Sequence, residues 1–232
     1  MPLAGTVDAT VVRGAVTAAV MGAPGHHDQA GRALGFANSS DTRRDGTQVA
    51  IDDNLNQIDE WLRHHAPATF ADLGPPAGPD HIAALENTVG LQLHPDVTAL
   101  LRWHNGSGRH DRGFPLSPGF PINSTTQIAG TWQRLTTLAT QIRDEEDMQG
   151  WWEPTWIPVA SDYTGFELVV DHGPHITGQV FHFDPTEGRS RLRPSWPNLA
   201  TIVPGIATAL QSGSQFAGLV PVIDEDGYLD WE

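Results

Sequence analysis

Tryptophan and proline are concentrated in the segment from residue 151 to 159, and this segment constrains the fold most. Three tryptophans and two prolines, Pro154 and Pro158, stand in nine positions. Proline has no amide hydrogen and a fixed φ, so it is excluded from a helix interior and is tolerated in a sheet mainly at an edge. The segment therefore predicts an extended edge strand whose indole rings cover a core.

Three segments upstream show apolar residues at helical spacing. The first spans residues 55–62 behind two aspartates. The second is expected to be capped by Asp80 and stopped by Gly90, and the third starts at Pro95 and ends at residues 105–106. These signals predict an amphipathic helix followed by two short helices.

A fourth helix is predicted from a capping box in which Ser124 and Gln127 satisfy each other's amides. It should run to about Arg143. An acidic run follows directly, where the helix dipole disfavours negative charge. We therefore expect this run either to lie beyond the helix in solvent or to be held for a partner.

Strand patterns follow the tryptophan segment. Residues 166–171 suit a central strand, and residues 178–184 alternate as a half-buried one. Ser195 is expected to cap a last helix in which Pro204 predicts a kink or break. Residues 220–223 indicate a short strand before an acidic turn. The fold class is therefore α+β, with a small, largely antiparallel or mixed sheet flanked by helices.

The first fifty residues differ from the rest of the chain. Residues 7–21 are rich in alanine and valine, and residues 22–46 are polar without a sustained period. Such a composition buries too little apolar area to offset its chain entropy. We expect an N-terminal extension over residues 1–50, partly mobile, and a single domain over residues 51–232.

The charge balance limits the classes of partner. The formal net charge is −15, and all thirteen basic residues are arginine. Nucleic acid would be repelled, since phosphate binding needs clustered cations. No apolar run is long enough to span a bilayer, and the chain has no cysteine. We expect a cytoplasmic protein that binds no nucleic acid, membrane or cofactor.

Catalytic and metal-binding patterns are weak. His104 or His110 could act as a base, and paired acids such as Asp162 and Asp171 could serve glycoside hydrolysis. Neither a nucleophile elbow nor a phosphate-loop lysine accompanies them. The remaining histidines with metal-like spacing are the pairs His26 and His27, His64 and His65, and His172 and His175. Their loop or adjacent placement gives no shared helical face, so we expect no metal site.

Dispersed motifs resemble those of the SUKH superfamily, the Smi and Knr type group of cell-wall regulators and bacterial toxin-immunity proteins. The residues that carry this resemblance, and to which it gives a structural role, are Glu86, Gly90, Pro95, Asn105, Gly106, Trp156, Pro158, Asp162, Gly165 and Asp171. Their order and spacing extend over about residues 51–232. The resemblance implies a single SUKH-like domain that works by binding another protein.

The leading functional hypothesis is an immunity protein that binds and neutralises a basic toxin domain. Its partner surface is expected to combine aromatic anchors with carboxylates, at Trp151, Trp152, Asp144, Glu145, Glu146, Asp147, Asp224, Glu225 and Asp226. One alternative is an intracellular scaffold or regulator of cell-wall assembly. Another is a hydrolase that uses the histidines and aspartates.

Overall fold

The computed structural model describes residues 41–108, 112–142, 149–175 and 177–232. The helices of this part of the chain are α1 (Asp41–His65), α2 (Pro67–Ala71), α3 (Pro79–Val89), α4 (Pro95–Trp103), α5 (Thr125–Gln141) and α6 (Leu199–Ser212). Its strands are β1 (Pro115–Ser117), β2 (Phe120–Pro121), β3 (Trp156–Ser161), β4 (Glu167–Asp171), β5 (Val180–Asp184), β6 (Gly188–Arg189), β7 (Pro221–Ile223) and β8 (Leu229–Trp231). The predicted α+β class is confirmed.

The central sheet has four antiparallel strands in the order β3-β4-β5-β6. The proline-bounded strand β3 lies at one edge, as predicted, and its register with β4 shifts between Pro158 and Ala160. An edge position tolerates Pro158, because its missing amide hydrogen leaves no sheet partner unsatisfied. Strand β4 is central, which also agrees with the sequence.

Each face of this sheet covers a separate apolar cluster. The larger cluster includes Ile157, Leu168 and Val180 together with residues of α1, α3, α4 and α6. The smaller one consists of Leu135, Trp151, Trp152, Trp156, Val169, Phe181 and Phe183. Alternate residues of β5 enter different clusters, so the strand is buried on both faces. The prediction of a half-buried strand there was wrong, because α5 and the tryptophan loop cover the second face.

The pair α3 and α4 forms as its local signals predict, with one exception. Gly90 ends α3 in the left-handed conformation (φ +69°), and Pro95 is the first residue of α4. Asp80, however, lies inside the first turn of α3 and does not cap it. Gly78 is the N-cap, and its amide donates to Nδ1 of His81 at 3.2 Å.

Helix α5 begins with the predicted capping box. The Ser124 amide donates to Oε1 of Gln127 at 2.7 Å, and the Gln127 amide donates to Oγ of Ser124 at 3.2 Å. The helix ends at Gln141, two residues before the predicted end, and Ile142 is its C-cap.

Helix α6 starts later than predicted. Ser195 does not cap it, because the neighbouring Trp196 exchanges both backbone hydrogen bonds with Val180, at 2.8 and 2.9 Å. A residue before proline also favours extended backbone, and Pro197 follows Trp196. Asn198 is the N-cap instead.

The sequence predicted a kink or a break at Pro204. No break occurs, because α6 continues through Pro204. A proline inside a helix removes one hydrogen bond. Packing of the fully buried Ile202, Val203 and Ile206 compensates for that loss.

Helix α1 begins at Asp41, ten residues before the predicted domain start at Ile51. Residues 41–50 show no apolar period, so the sequence did not indicate a helix there. Once a helix is anchored, each added residue gains one hydrogen bond, which favours its extension. The buried side chains of Ile51, Leu55 and Ile58 provide this anchor. Among the described residues, no helix is both long enough and apolar enough to cross a membrane.

Candidate partner-binding surface

His104 has both ring nitrogens beside hydrogen-bond acceptors. Its Nε2 lies 3.0 Å from Oδ1 of Asp59, and its Nδ1 lies 2.6 Å from the Gly74 carbonyl oxygen. The nearby Ser107 uses its hydroxyl to accept the Phe114 amide at 3.1 Å. Neither nitrogen of His104 is therefore free to remove a proton from a substrate. His110 lies outside the described residues.

Two of the histidines with metal-like spacing, His172 and His64, have structural contacts. Nε2 of His172 accepts the His94 amide at 2.8 Å, and its Nδ1 lies 3.0 Å from the Val170 carbonyl oxygen. Burial lowers the pKa of His172 below its usual value. His64 contacts the carbonyl oxygen of Glu60 with its Nδ1. Within the ranges that the structure describes, no three His, Cys, Asp or Glu side chains are placed to hold a metal ion, and His26 and His27 lie outside those ranges.

Asp162 and Asp171 stand at opposite ends of the β3–β4 hairpin. Asp162 pairs with Phe166, five residues before Asp171 along the chain, which separates the two carboxylates by about 17 Å at the usual rise per residue. Paired glycosidase acids are separated by about 5–10 Å. Each carboxylate instead accepts amides of its own turn, for example that of Gly173 at 2.7 Å from Asp171.

The family-motif residues hold the scaffold together. Around the α3–α4 junction, Glu86 accepts the Leu93 amide at 2.9 Å, and Asn105 accepts the Thr125 amide at 2.7 Å. Other members are Gly90, Pro95, Gly106, Trp156, Pro158, Asp162, Gly165 and Asp171, which form helix ends, the edge strand and its turns. None of these contacts requires a ligand.

The two predicted aromatic anchors are core residues. Trp151 is 5% exposed and Trp152 is 4% exposed, and both rings pack edge-on against Phe183. Their indole nitrogens donate internally, to the Pro185 carbonyl oxygen at 3.1 Å and to Oγ1 of Thr136 at 3.1 Å. The expectation that these rings anchor a partner is corrected, because the second face of the sheet buries them.

The predicted acidic turn closes the hairpin of β7 and β8. The Asp224 carboxylate accepts the amides of Asp226 and Tyr228, at 3.0 and 2.8 Å, so it shapes the turn. Arg112 lies 2.7 Å from Asp226 and 3.4 Å from Asp224, which partly neutralises both. Glu225 is exposed at the tip. The other predicted carboxylates, Asp144, Glu145, Glu146 and Asp147, lie outside the described residues.

Apolar side chains are exposed in β7 and just before it. Ile223 directly precedes the turn, and Leu219 lies at the open end of the hairpin, next to the bonded pair Val220 and Glu232. Ile223 is 39% exposed and Leu219 is 36% exposed. Together with Glu225 and Asp226 they form what we call the hairpin surface. The sequence indicated the strand at residues 220–223 but not its exposure, because period-2 patterns do not show whether a second layer covers a strand. The hairpin is fixed by the Leu229 amide, which donates to Oγ1 of Thr69 at 2.8 Å.

Comparison with known proteins agrees with the motif geometry. The sequence model of the SMI1 / KNR4 family (SUKH-1) matches residues 76–204, which is more than half of the chain. This chain belongs to the SMI1 / KNR4 family. The resemblance seen in the sequence is thus confirmed. No curated protein matches the chain significantly.

The SUKH-1 match includes the whole central sheet and the α3–α4–α5 junction, so the shared part is the scaffold. It excludes the hairpin surface and all of α1. SUKH-1 membership supports protein–protein interaction as the general mode of action. The surface that selects a partner has to be argued from this chain's own exposed residues.

Proposed function

We propose that this SUKH-1 chain is a non-catalytic immunity protein that binds and neutralises a basic toxin domain in the cytoplasm. The observation that carries the proposal is the hairpin surface, where exposed carboxylates of the turn follow the exposed Ile223, on a chain of net charge −15. Occlusion of the toxin needs no turnover, which agrees with the internal hydrogen bonds of His104, the candidate base that the structure describes.

Electrostatics and burial have separate parts in this mechanism. The negative field of the chain raises the rate of encounter with a cationic protein and disfavours anionic competitors. Exposed rim charges contribute mainly to this rate, whereas apolar contacts excluded from water slow dissociation. Glu225 supplies the free charge, and Ile223 and Leu219 supply the apolar area.

The first experiment identifies the toxin. A candidate is the C-terminal module of a large secreted protein encoded in a neighbouring reading frame, and co-expression of this chain should restore growth of cells that produce the module. Restored growth with formation of a stable complex supports immunity. Recovery of several unrelated cellular proteins in a pull-down, without rescue, would instead support the scaffold hypothesis.

The second experiment tests the surface. Glu225→Gln combined with Asp226→Asn should slow association with the toxin about tenfold at low ionic strength, and salt should reduce the difference. The matched control is Asp53→Asn combined with Glu60→Gln, which removes two exposed charges from α1. Equal effects of the two double variants would assign the attraction to net charge and overturn the role of the hairpin surface.

The acidic run at residues 144–147 is tested separately. We propose that it adds to the negative surface that meets the toxin, as its four consecutive carboxylates suggest. Exchange of all four for amides should slow association further at low salt. An unchanged association rate in this variant would show that residues 144–147 do not attract the toxin, and the attraction would then be assigned to the hairpin surface.

A further inference from the structure

A hydrogen bond between two histidines joins the end of β4 to the start of α4. His172 directly follows β4, and His94 is the N-cap of α4. The two rings meet edge to face, with their centres 6.3 Å apart. The His94 backbone amide donates to Nε2 of His172 at 2.8 Å, although the two residues are 78 positions apart in the chain. We call this interaction the histidine contact.

The histidine contact fixes the protonation state of His172. An imidazole nitrogen accepts an amide hydrogen only when it carries no hydrogen of its own, so Nε2 is unprotonated. The hydrogen of the neutral ring is therefore on Nδ1, which donates to the Val170 carbonyl oxygen at 3.0 Å. A proton on Nε2 would place two hydrogens between two nitrogens that are 2.8 Å apart, and the hydrogen bond would be lost.

The environment of His172 disfavours a second proton on its ring. Burial is the largest cause that lowers the pKa of His172 below 6.5, and the neighbouring His94 lowers it further. The hydrogen bond to Val170 and the charge of Asp171 raise this pKa, and Asp171 has the smallest effect of the four. The Asp171 carboxylate accepts the Gly173 amide at 2.7 Å. The neutral ring that the histidine contact requires is thus the state that its surroundings favour.

The two histidines face different partners. Nδ1 of His94 accepts the Asp96 amide at 3.2 Å and lies 3.8 Å from Oδ1 of Asp96. Gly178 packs against the same ring, because a Cβ atom on it would lie 2.9 Å from Nε2 of His94. His175, in the turn after His172, is exposed. A proton on His94 can therefore pair with the Asp96 carboxylate, whereas a proton on Nε2 of His172 meets an amide donor.

We propose that His172 is an acid-sensitive switch, in which a proton on Nε2 breaks the hydrogen bond from the His94 amide and uncouples the start of α4 from the end of β4. The contact is fully available above pH 6.5 and is lost as pH falls through the lowered pKa of His172. The buried Val97 and Leu100 keep α4 packed, so the change is local. The switch is independent of the proposed function, because neither histidine belongs to the hairpin surface.

Amide hydrogen exchange of the full chain, followed by NMR, tests the switch. The protection factor of the His94 amide should fall by up to about tenfold between pH 6.5 and about 5.5, because only the neutral His172 ring accepts this amide. The Ala77 amide, which donates to the Leu101 carbonyl oxygen at 2.9 Å, is the internal reference and should keep its protection. Constant protection of the His94 amide while His172 titrates would overturn the proposal.

The chemical shifts of the ring nitrogens provide an independent measurement. At about pH 7.5 they should show the hydrogen of His172 on Nδ1 and none on Nε2. A hydrogen on Nε2 at this pH would contradict the switch, since that nitrogen could then not accept the His94 amide.

Two variants separate His172 from its neighbour in the turn. His172→Gln offers an amide oxygen, Oε1, that takes up no proton in this pH range. Protection of the His94 amide should then no longer depend on pH, whether or not the oxygen restores the hydrogen bond. His175→Gln is the matched control at an exposed position and should keep the wild-type response. A response that persists in His172→Gln, or that disappears in His175→Gln, would rule out His172 as the switch.

Discussion

Glu167 is a carboxyl group that the fold holds away from water. It is 3% exposed and accepts a short hydrogen bond from the Ser161 hydroxyl. Burial raises its pKa to about 7, and the hydrogen bond from Ser161 and the charge of Arg134 oppose that rise. Although Arg134 lies 3.5 Å away, 56% of its side chain is exposed, so water screens its charge and desolvation prevails.

The Glu167 proton couples folding to pH. The folded state keeps this proton up to about pH 7, whereas the unfolded chain releases it near pH 4.5. The folded state therefore binds more protons in that window, and stability falls as pH rises through it. Burial lowers the pKa of His182 from 6.5 to about 4, so the His182 contribution rises with pH between these values. The two contributions oppose each other in the wild-type chain.

Glu167→Gln should remove the contribution to stability that falls as pH rises, because glutamine is neutral at every pH. Relative to wild type, the variant should gain on the order of 3 kcal/mol in unfolding free energy between pH 4.5 and 7.5. Urea unfolding at both pH values measures this difference. Glu60→Gln, at an exposed position of α1, is the control. A difference between variant and wild type that does not change with pH would show that Glu167 is ionised throughout.

Among the elements, the end of α4 and the start of α5 approach each other closely. Asn105 accepts the first amide of α5, and Gly106 has φ +83°. A Cβ atom on Gly106 would lie 2.5 Å from the Ser124 backbone nitrogen, a separation that neither backbone can accommodate without moving. The asparagine and glycine of the family motif therefore join two helices.

Gly106→Ala should be strongly destabilising, with a loss of about 3 kcal/mol or more from backbone strain plus the clash with α5. Gly119→Ala is the matched control, because Gly119 also has a positive φ (+77°) but no atom lies near its Cβ position. The control should lose only about 1–2 kcal/mol. Thermal unfolding followed by circular dichroism measures both, and equal losses would contradict the proposed clash.

Local signals explain which elements the sequence predicted. The Ser124–Gln127 box, Gly90 and Pro95 act within one turn of the chain, so their neighbours determine the outcome. The predicted start of α6 at Ser195 was wrong, because the backbone of Trp196 bonds to that of Val180, sixteen residues earlier. At the candidate site, the acidic turn was predictable from Asp224 and its neighbours. The burial of Trp151 and Trp152 was not, since it depends on α5 and β5 together.

For the whole molecule, the excess of negative charge affects the stability of the fold. The net charge of −15 produces repulsion between carboxylates that the ion pairs of Arg63, Arg112 and Arg134 reduce only locally. Long-range repulsion of this kind favours the expanded chain and weakens as salt shortens the Debye length.

An increase of NaCl from about 0.02 to 0.3 M should raise the unfolding temperature by several degrees. Most of the rise should occur below about 0.15 M, where the Debye length is still near 8 Å or more. Asp53→Asn combined with Glu60→Gln should show a smaller rise, because its net charge is lower in magnitude. A salt-independent unfolding temperature would mean that local pairing already compensates the repulsion.

A single carboxylate serves the beginnings of two helices that are distant in sequence. Asp96 lies in the first turn of α4, and its Oδ2 accepts the Ala200 amide of α6 at 3.3 Å. The positive ends of both helix dipoles thus converge on one anion. The Asp96 carboxylate can stabilise α6 only when the two helices have come together, and α6 is synthesised about a hundred residues after α4. The first turn of α6 should therefore be among the last regions to become protected from hydrogen exchange.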